Sequence, residues 1–125
     1  MAIRSYKDLV VWQRSIDLID AVYRLTRGFP KSETYGLSSQ IQRAAVSVAA
    51  NIAEGSGRDS TKEFNHHLAF SLGSLAEVET YLTVTVRLDY AEKGAVAKLD
   101  SECDQIGKML RSLQKSLRRR LDDDN

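Results

Sequence analysis

The sequence predicts an all-α protein, an antiparallel up-down-up-down four-helix bundle. Three observations lead there. Apolar residues recur at helical spacing in four long segments. Breaks of only a few residues separate those segments, the first two marked by glycine or proline. The 125-residue chain is one domain's length, 42% apolar and 28% charged, with a single proline, a balance unlike that of disordered or turn-rich β proteins.

The first segment runs from about Tyr6 to Arg27 (6–27). Leu9, Trp12, Ile16, Ile19, Tyr23 and Thr26 form a 3-4 seam, with a second row of Val11, Leu18, Val22 and Leu25 beside it. Gly28-Phe29-Pro30 ends it, because proline cannot continue the hydrogen-bond ladder. The second segment, 33–55, starts near Ser32 or Glu33, with Gly36 a candidate late start. Its core stripe is Leu37, Ile41, Ala44, Ala45, Val48 and Ile52.

The third segment, 60–90, opens with the capping box Ser60-Thr61-Lys62-Glu63. Phe64, Leu68, Leu72, Leu75, Val78 or Glu79, Leu82 and Val86 follow at helical spacing. A row of small residues, Ala69, Gly73, Ala76, Thr80 and Thr83, would admit a closely approaching backbone. The run Thr83-Val84-Thr85-Val86 lowers helix propensity, so packing must hold this end. The fourth segment, 93–121, has the cleanest seam: Val96, Leu99, Cys103, Ile106, Leu110, Leu113 and Leu117. The domain is 1–121, and 122–125 is an acidic tail.

A lone cysteine cannot form an internal disulfide, which points to a reducing, cytoplasmic setting. No signal-like or membrane-spanning apolar run is present, so no membrane partner is expected. The net charge is +1, too small for a general pull on nucleic acid. It is unevenly spread, however. Lys108, Arg111, Lys115, Arg118, Arg119 and Arg120 place six basic residues in thirteen positions, with no acidic one. These six are the candidate nucleic-acid-binding residues, with Arg14, Arg24 and Arg58 as helpers. Compensation of a helix C-terminus is the structural alternative.

A second feature is a polar stripe, Gln40, Arg43, Ser47, Asn51 and Glu54, along one face of an otherwise buried helix. It reads as a hydrogen-bonded interface between helices or subunits, or as a ligand surface. His66 and His67 point about 100° apart on a helix, and Glu63-x-x-His66 has no counterpart on another helix. No metal or cofactor is expected, nor a catalytic role for Cys103, so the chain is not expected to be an enzyme. Gly55-Ser56-Gly57-Arg58 lacks the lysine of a phosphate loop and reads as a helix-helix turn, with anion binding beside Arg58 and Lys62 the alternative.

Tyr6-Lys7-Asp8-Leu9-Val10-Val11-Trp12-Gln13, Gln40-Ile41-Gln42-Arg43-Ala44-Ala45-Val46-Ser47-Val48, Asn51-Ile52-Ala53-Glu54-Gly55 and Ser74-Leu75-Ala76-Glu77-Val78-Glu79 together resemble the four-helix bundle proteins of 23S rRNA intervening sequences. The resemblance spans roughly Tyr6 to Leu117. It implies a ring-like homopentamer without a catalytic site. It also implies kinship with the accessory variability proteins of diversity-generating retroelements, which bind nucleic acid and associate with a reverse transcriptase. The expected partners are therefore other copies of the chain, RNA or DNA held with little sequence preference, or a protein such as a reverse transcriptase.

Overall fold

The structure, a computed structural model, describes residues 5–123. Every regular element among them is helical. A 3-10 turn, Tyr6–Asp8, precedes α1 (Val10–Thr26), and a second, Lys31–Glu33, precedes α2 (Leu37–Ser56). Then come α3 (Thr61–Arg87) and α4 (Lys93–Asp123). Helices α1 and α3 each pack on both α2 and α4, while the diagonal pairs do not meet. Short connections make sequence neighbours antiparallel, which closes a four-helix square.

Local chemistry moves several helix ends from the sequence expectation. Ser5 Oγ accepts from the Lys7 N–H, and Leu9 is extended, so residues 6–8 form a separate turn and α1 starts at Val10. The Glu33 carboxylate accepts the Leu37 N–H at 3.2 Å. Glu33 thus caps α2 from outside it, and the helix starts after Gly36. Ser60 caps α3 as expected, its Oγ accepting the Glu63 N–H at 3.0 Å. The end of α3 comes at Arg87 because Asp89 adopts a left-handed φ of 57°. There the Asp89 N–H reaches Val86 and the Tyr90 N–H reaches Thr85, a Schellman closure built without glycine. Helix α4 carries Asp122 and Asp123 of the acidic tail as helix; Asp124 and Asn125 lie outside the described residues.

The buried layer includes the expected stripe of α2 and six of the seven seam residues of α4, Leu113 being only half-buried. One expectation is corrected. On α1 the core is Val11, Ser15, Leu18, Val22 and Thr26. The Leu9–Tyr23 seam lies beside it, with Trp12, Ile16 and Ile19 half-buried and Tyr23 exposed. On α3, Ala69, Gly73, Ala76, Thr80 and Thr83 are all exposed, and Gly73 has nothing within 4 Å of where a Cβ would stand. The close approach occurs on another side of α3, where Ser71 Oγ donates to the Val48 carbonyl at 2.9 Å and Ser74 Oγ donates to Ser47 Oγ at 2.9 Å. Gly55 lies against His67, and a Cβ placed on Gly55 would come within 2.6 Å of the His67 Cβ. At the opposite end, the Tyr90 hydroxyl donates to Glu33 Oε2 at 2.8 Å, and the Phe29 and Tyr90 rings meet at 5.6 Å. The α1–α2 and α3–α4 connections are thereby tied together, and the hydrogen bond to Glu33 raises the Tyr90 phenol above its ordinary pKa.

The two glycines should respond in opposite directions. Gly55→Ala wedges α2 from α3 and is expected to cost about 1–3 kcal/mol. Gly73→Ala meets nothing within 4 Å and should stabilise by up to about 1 kcal/mol through helix propensity. Urea unfolding followed by circular dichroism measures both, and equal effects would contradict the close α2–α3 approach.

Candidate nucleic-acid interface

All six basic residues of α4 are exposed. The 3-4-3 spacing of Lys108, Arg111, Lys115 and Arg118 lines them along one side of the helix, with Arg119 adjoining. Arg120 points to roughly the opposite flank from Arg118. Lys108 is partly neutralised by Asp104, 3.4 Å away, in a solvent-exposed i,i+4 pair. It borders a groove shared with Leu9, Val10 and Val11. Among the described residues, no carboxylate lies within ion-pair distance of Arg111, Lys115, Arg118 or Arg119. Arg118 borders a second cleft, shared with Lys62 and His66 of α3.

The helper arginines are less available. Arg14 forms a two-pronged ion pair with Glu102, Nε and Nη2 each 2.9 Å from a carboxylate oxygen, joining α1 to α4. That contact raises the guanidinium pKa further. Arg58 donates to Glu54 at 2.6 Å, folding the α2–α3 turn onto α2. Arg24 is exposed beside Leu25 and Lys98, away from the α4 line.

The polar stripe of α2 divides into parts. Asn51 Nδ2 donates to the Ser47 carbonyl at 3.0 Å and to Ser47 Oγ at 3.1 Å. Asn51 Oδ1 lies 3.2 Å from His67 Nδ1, a bond that requires the proton on that nitrogen. With Ser74 on Ser47, these contacts make a hydrogen-bonded seam between α2 and α3. Glu54 serves Arg58, while Gln40 and Arg43 remain exposed. His66 faces outward, its ring edge-on to Phe70 at 4.6 Å. Among the described residues no three His, Cys, Asp or Glu side chains gather, and no helix is long and apolar enough to cross a membrane.

The sequence profile of the family described as 23S rRNA-intervening sequence protein matches residues 7–112. The chain belongs to that family. It is also similar to the crystal structure of a protein with unknown function from the S23 ribosomal protein family of Bacteroides thetaiotaomicron, at 25% identity and a TM-score of 0.76. That match covers 85% of this chain and 99% of the other. No curated protein matches the sequence. In this 23S rRNA-intervening sequence protein, two of the motifs that carry the resemblance have a clear structural place. Ala44, Ala45, Val48, Ile52 and Gly55 are buried on α2, and Ser47 and Asn51 bind across to α3. They build the α2–α3 seam.

Sequence reasoning missed Gln114, which is 8% exposed and more buried than the neighbouring seam residue Leu113. The signal was present, since Gln114 sits between Leu110 and Leu117 at spacings of four and three.

Cys103 is fully buried, and burial, helped by Glu79, Asp100 and Glu102, pushes its thiol up to about 12. It is a neutral packing group, because the thiolate is the reactive form. Above the thiol's ordinary pKa near 9.0, the unfolded chain loses this proton while the native chain keeps it. Cys103 therefore withdraws stability as pH rises from that value towards about 12. Cys103→Ala should remove an alkaline slope of about 1.4 kcal/mol per pH unit, read by urea melts across that range. Identical slopes for both proteins would refute the neutral buried thiol.

Proposed function

We propose that the chain is a non-enzymatic, homopentameric bundle that binds structured RNA or DNA through the outer line of α4, with little sequence preference. The observation carrying this reading is the exposed set of Arg111, Lys115, Arg118 and Arg119, none neutralised by a described carboxylate. Phosphate oxygens are what an exposed, unpaired arginine row binds best, and such contacts position a helix without reading bases. Because the whole chain carries only +1, attraction is local and weak per subunit. A ring repeats the line in every subunit and multiplies weak contacts through effective concentration.

Self-assembly draws support from the outer face of α2 and α3. Val46 and Phe70 are 42% and 49% exposed, next to the uncovered small-residue row of α3. The same face favours a second reading, an accessory subunit for a protein such as a reverse transcriptase, in line with kinship to the retroelement accessory proteins. Under that reading the partner survives nuclease treatment.

Fluorescence anisotropy with a structured RNA and a matched DNA duplex tests the first reading across a salt series. Binding should weaken steeply with salt, and Arg118→Ala with Arg119→Ala should reduce the log-log slope by about two. An unchanged slope removes α4 from the interface. Light scattering on the same samples should give five chains per particle, and a monomer would refute the ring.

A further inference from the structure

The first turns of α3 and the last third of α4 enclose a cleft of about 710 Å³. Lys62, Glu63, Asn65 and His66 line it from α3, and Gln114 and Arg118 line it from α4. Two side-chain amides there lack partners. Gln114 is more than nine-tenths buried, faces the cleft, and makes no hydrogen bond with any described residue. Asn65 Oδ1 is shut off from solvent and receives no donor. Buried amides are ordinarily satisfied within the protein, so Gln114, whose side chain lines the cleft, is poised for an outside partner that both donates and accepts.

The charges around the amides suit an anion. Lys62 and Arg118 face each other across the cleft, and α3 adds the positive end of a 27-residue helix. Ser60 takes up the Glu63 N–H, which leaves the N–H groups of Thr61 and Lys62 without an intrahelical acceptor. His66, braced edge-on by Phe70, supplies an aromatic wall, and Glu63 an acceptor for a sugar hydroxyl. A volume in the range of small-molecule sites, a phosphate-binding end and a base-reading amide coincide in one place.

We infer that this cleft receives a single unpaired nucleotide of a bound strand. Its phosphate sits on Lys62, Arg118 and the first turn of α3, and its base edge on Gln114. The inference rests on the nucleic-acid reading, since Arg118 belongs to both the cleft and the α4 line.

Isothermal titration calorimetry of the intact protein with 5′-AMP, and separately with inorganic phosphate, tests it at low salt. AMP should saturate at one per chain and bind at least tenfold more tightly than phosphate. A short oligo(A) should displace it. Gln114→Leu should weaken AMP about tenfold while leaving the salt slope for duplex DNA unchanged. Gln114→Met, close in volume and without the amide, serves the same purpose if Gln114→Leu melts early. Equal affinity for AMP and phosphate would mean a bare anion site and overturn the inference. So would AMP that oligo(A) cannot displace, or affinity indifferent to both substitutions. Absent AMP binding with intact, salt-dependent duplex binding sinks the cleft alone, whereas loss of both sinks the nucleic-acid reading with it.

Discussion

The close approach of α2 to α3 is the constraint on which the rest of the bundle depends. Gly55 lets the His67 backbone come in where any side chain would hold it off. Ser71, Ser74 and Ser47 fill the seam above it with short groups that hydrogen-bond across the gap. Bulky apolar residues would separate the helices by the width of a side chain. Short hydroxyls keep them close and leave no buried polar atom unpaired there. This spacing fixes the register that puts His67 opposite Asn51. It also sets where the start of α3 lies against α4, and so the geometry of the cleft between Lys62 and Arg118.

Polar groups inside the bundle are mostly neutral and satisfied locally. Ser15 and Thr85 are fully buried, and each returns its hydroxyl to the carbonyl four residues earlier, Ser15 to Val11 and Thr85 to Tyr81. Exposed Thr80 and Thr83 bond back in the same way, and burial of Leu82 and Thr85 holds α3 through a β-branched stretch that is poor in helix propensity. Cys103, held neutral by burial, continues the pattern in α4. Charge is therefore left to the surface, where Arg14–Glu102 clamps α1 to α4 and the basic row of α4 faces solvent.

The helical architecture was legible because periodicity in four segments is a direct imprint of burial. It failed where two adjacent apolar rows competed, as on α1, since a 3-4 seam does not reveal which row neighbouring helices cover. Helix ends were misplaced where a residue outside the helix caps it, as Glu33 does for Leu37, or where an aspartate takes the left-handed position usually given to glycine, as Asp89 does. The α4 line could be read from charge alone. The Gln114–Asn65 pair could not, because it exists only once α3 and α4 are brought side by side. A small-residue row on α3 was expected to admit a backbone, yet the helix-helix contact uses a different face that serine, not alanine, marks.

The position of the basic residues within α4 bears on the two explanations that the sequence left open. A helix dipole acts over about its last turn. Arg111 lies roughly 18 Å from the end of α4 at Asp123, and Lys115 about 12 Å. Neither gains from the C-terminus. Arg118, Arg119 and Arg120 are nearer, but the helix continues past them through Asp122, whose carboxylate opposes the dipole that the arginines would serve. A sequence shaped only to stabilise the helix end would place its cations last and its acids elsewhere. Here the cations form a row along a solvent-facing side, on the helix flank that leads towards Lys62. Among the described residues, Arg111, Lys115, Arg118 and Arg119 have no carboxylate within ion-pair distance, so their mutual repulsion is uncompensated within the chain, which suits the anionic ligand proposed above.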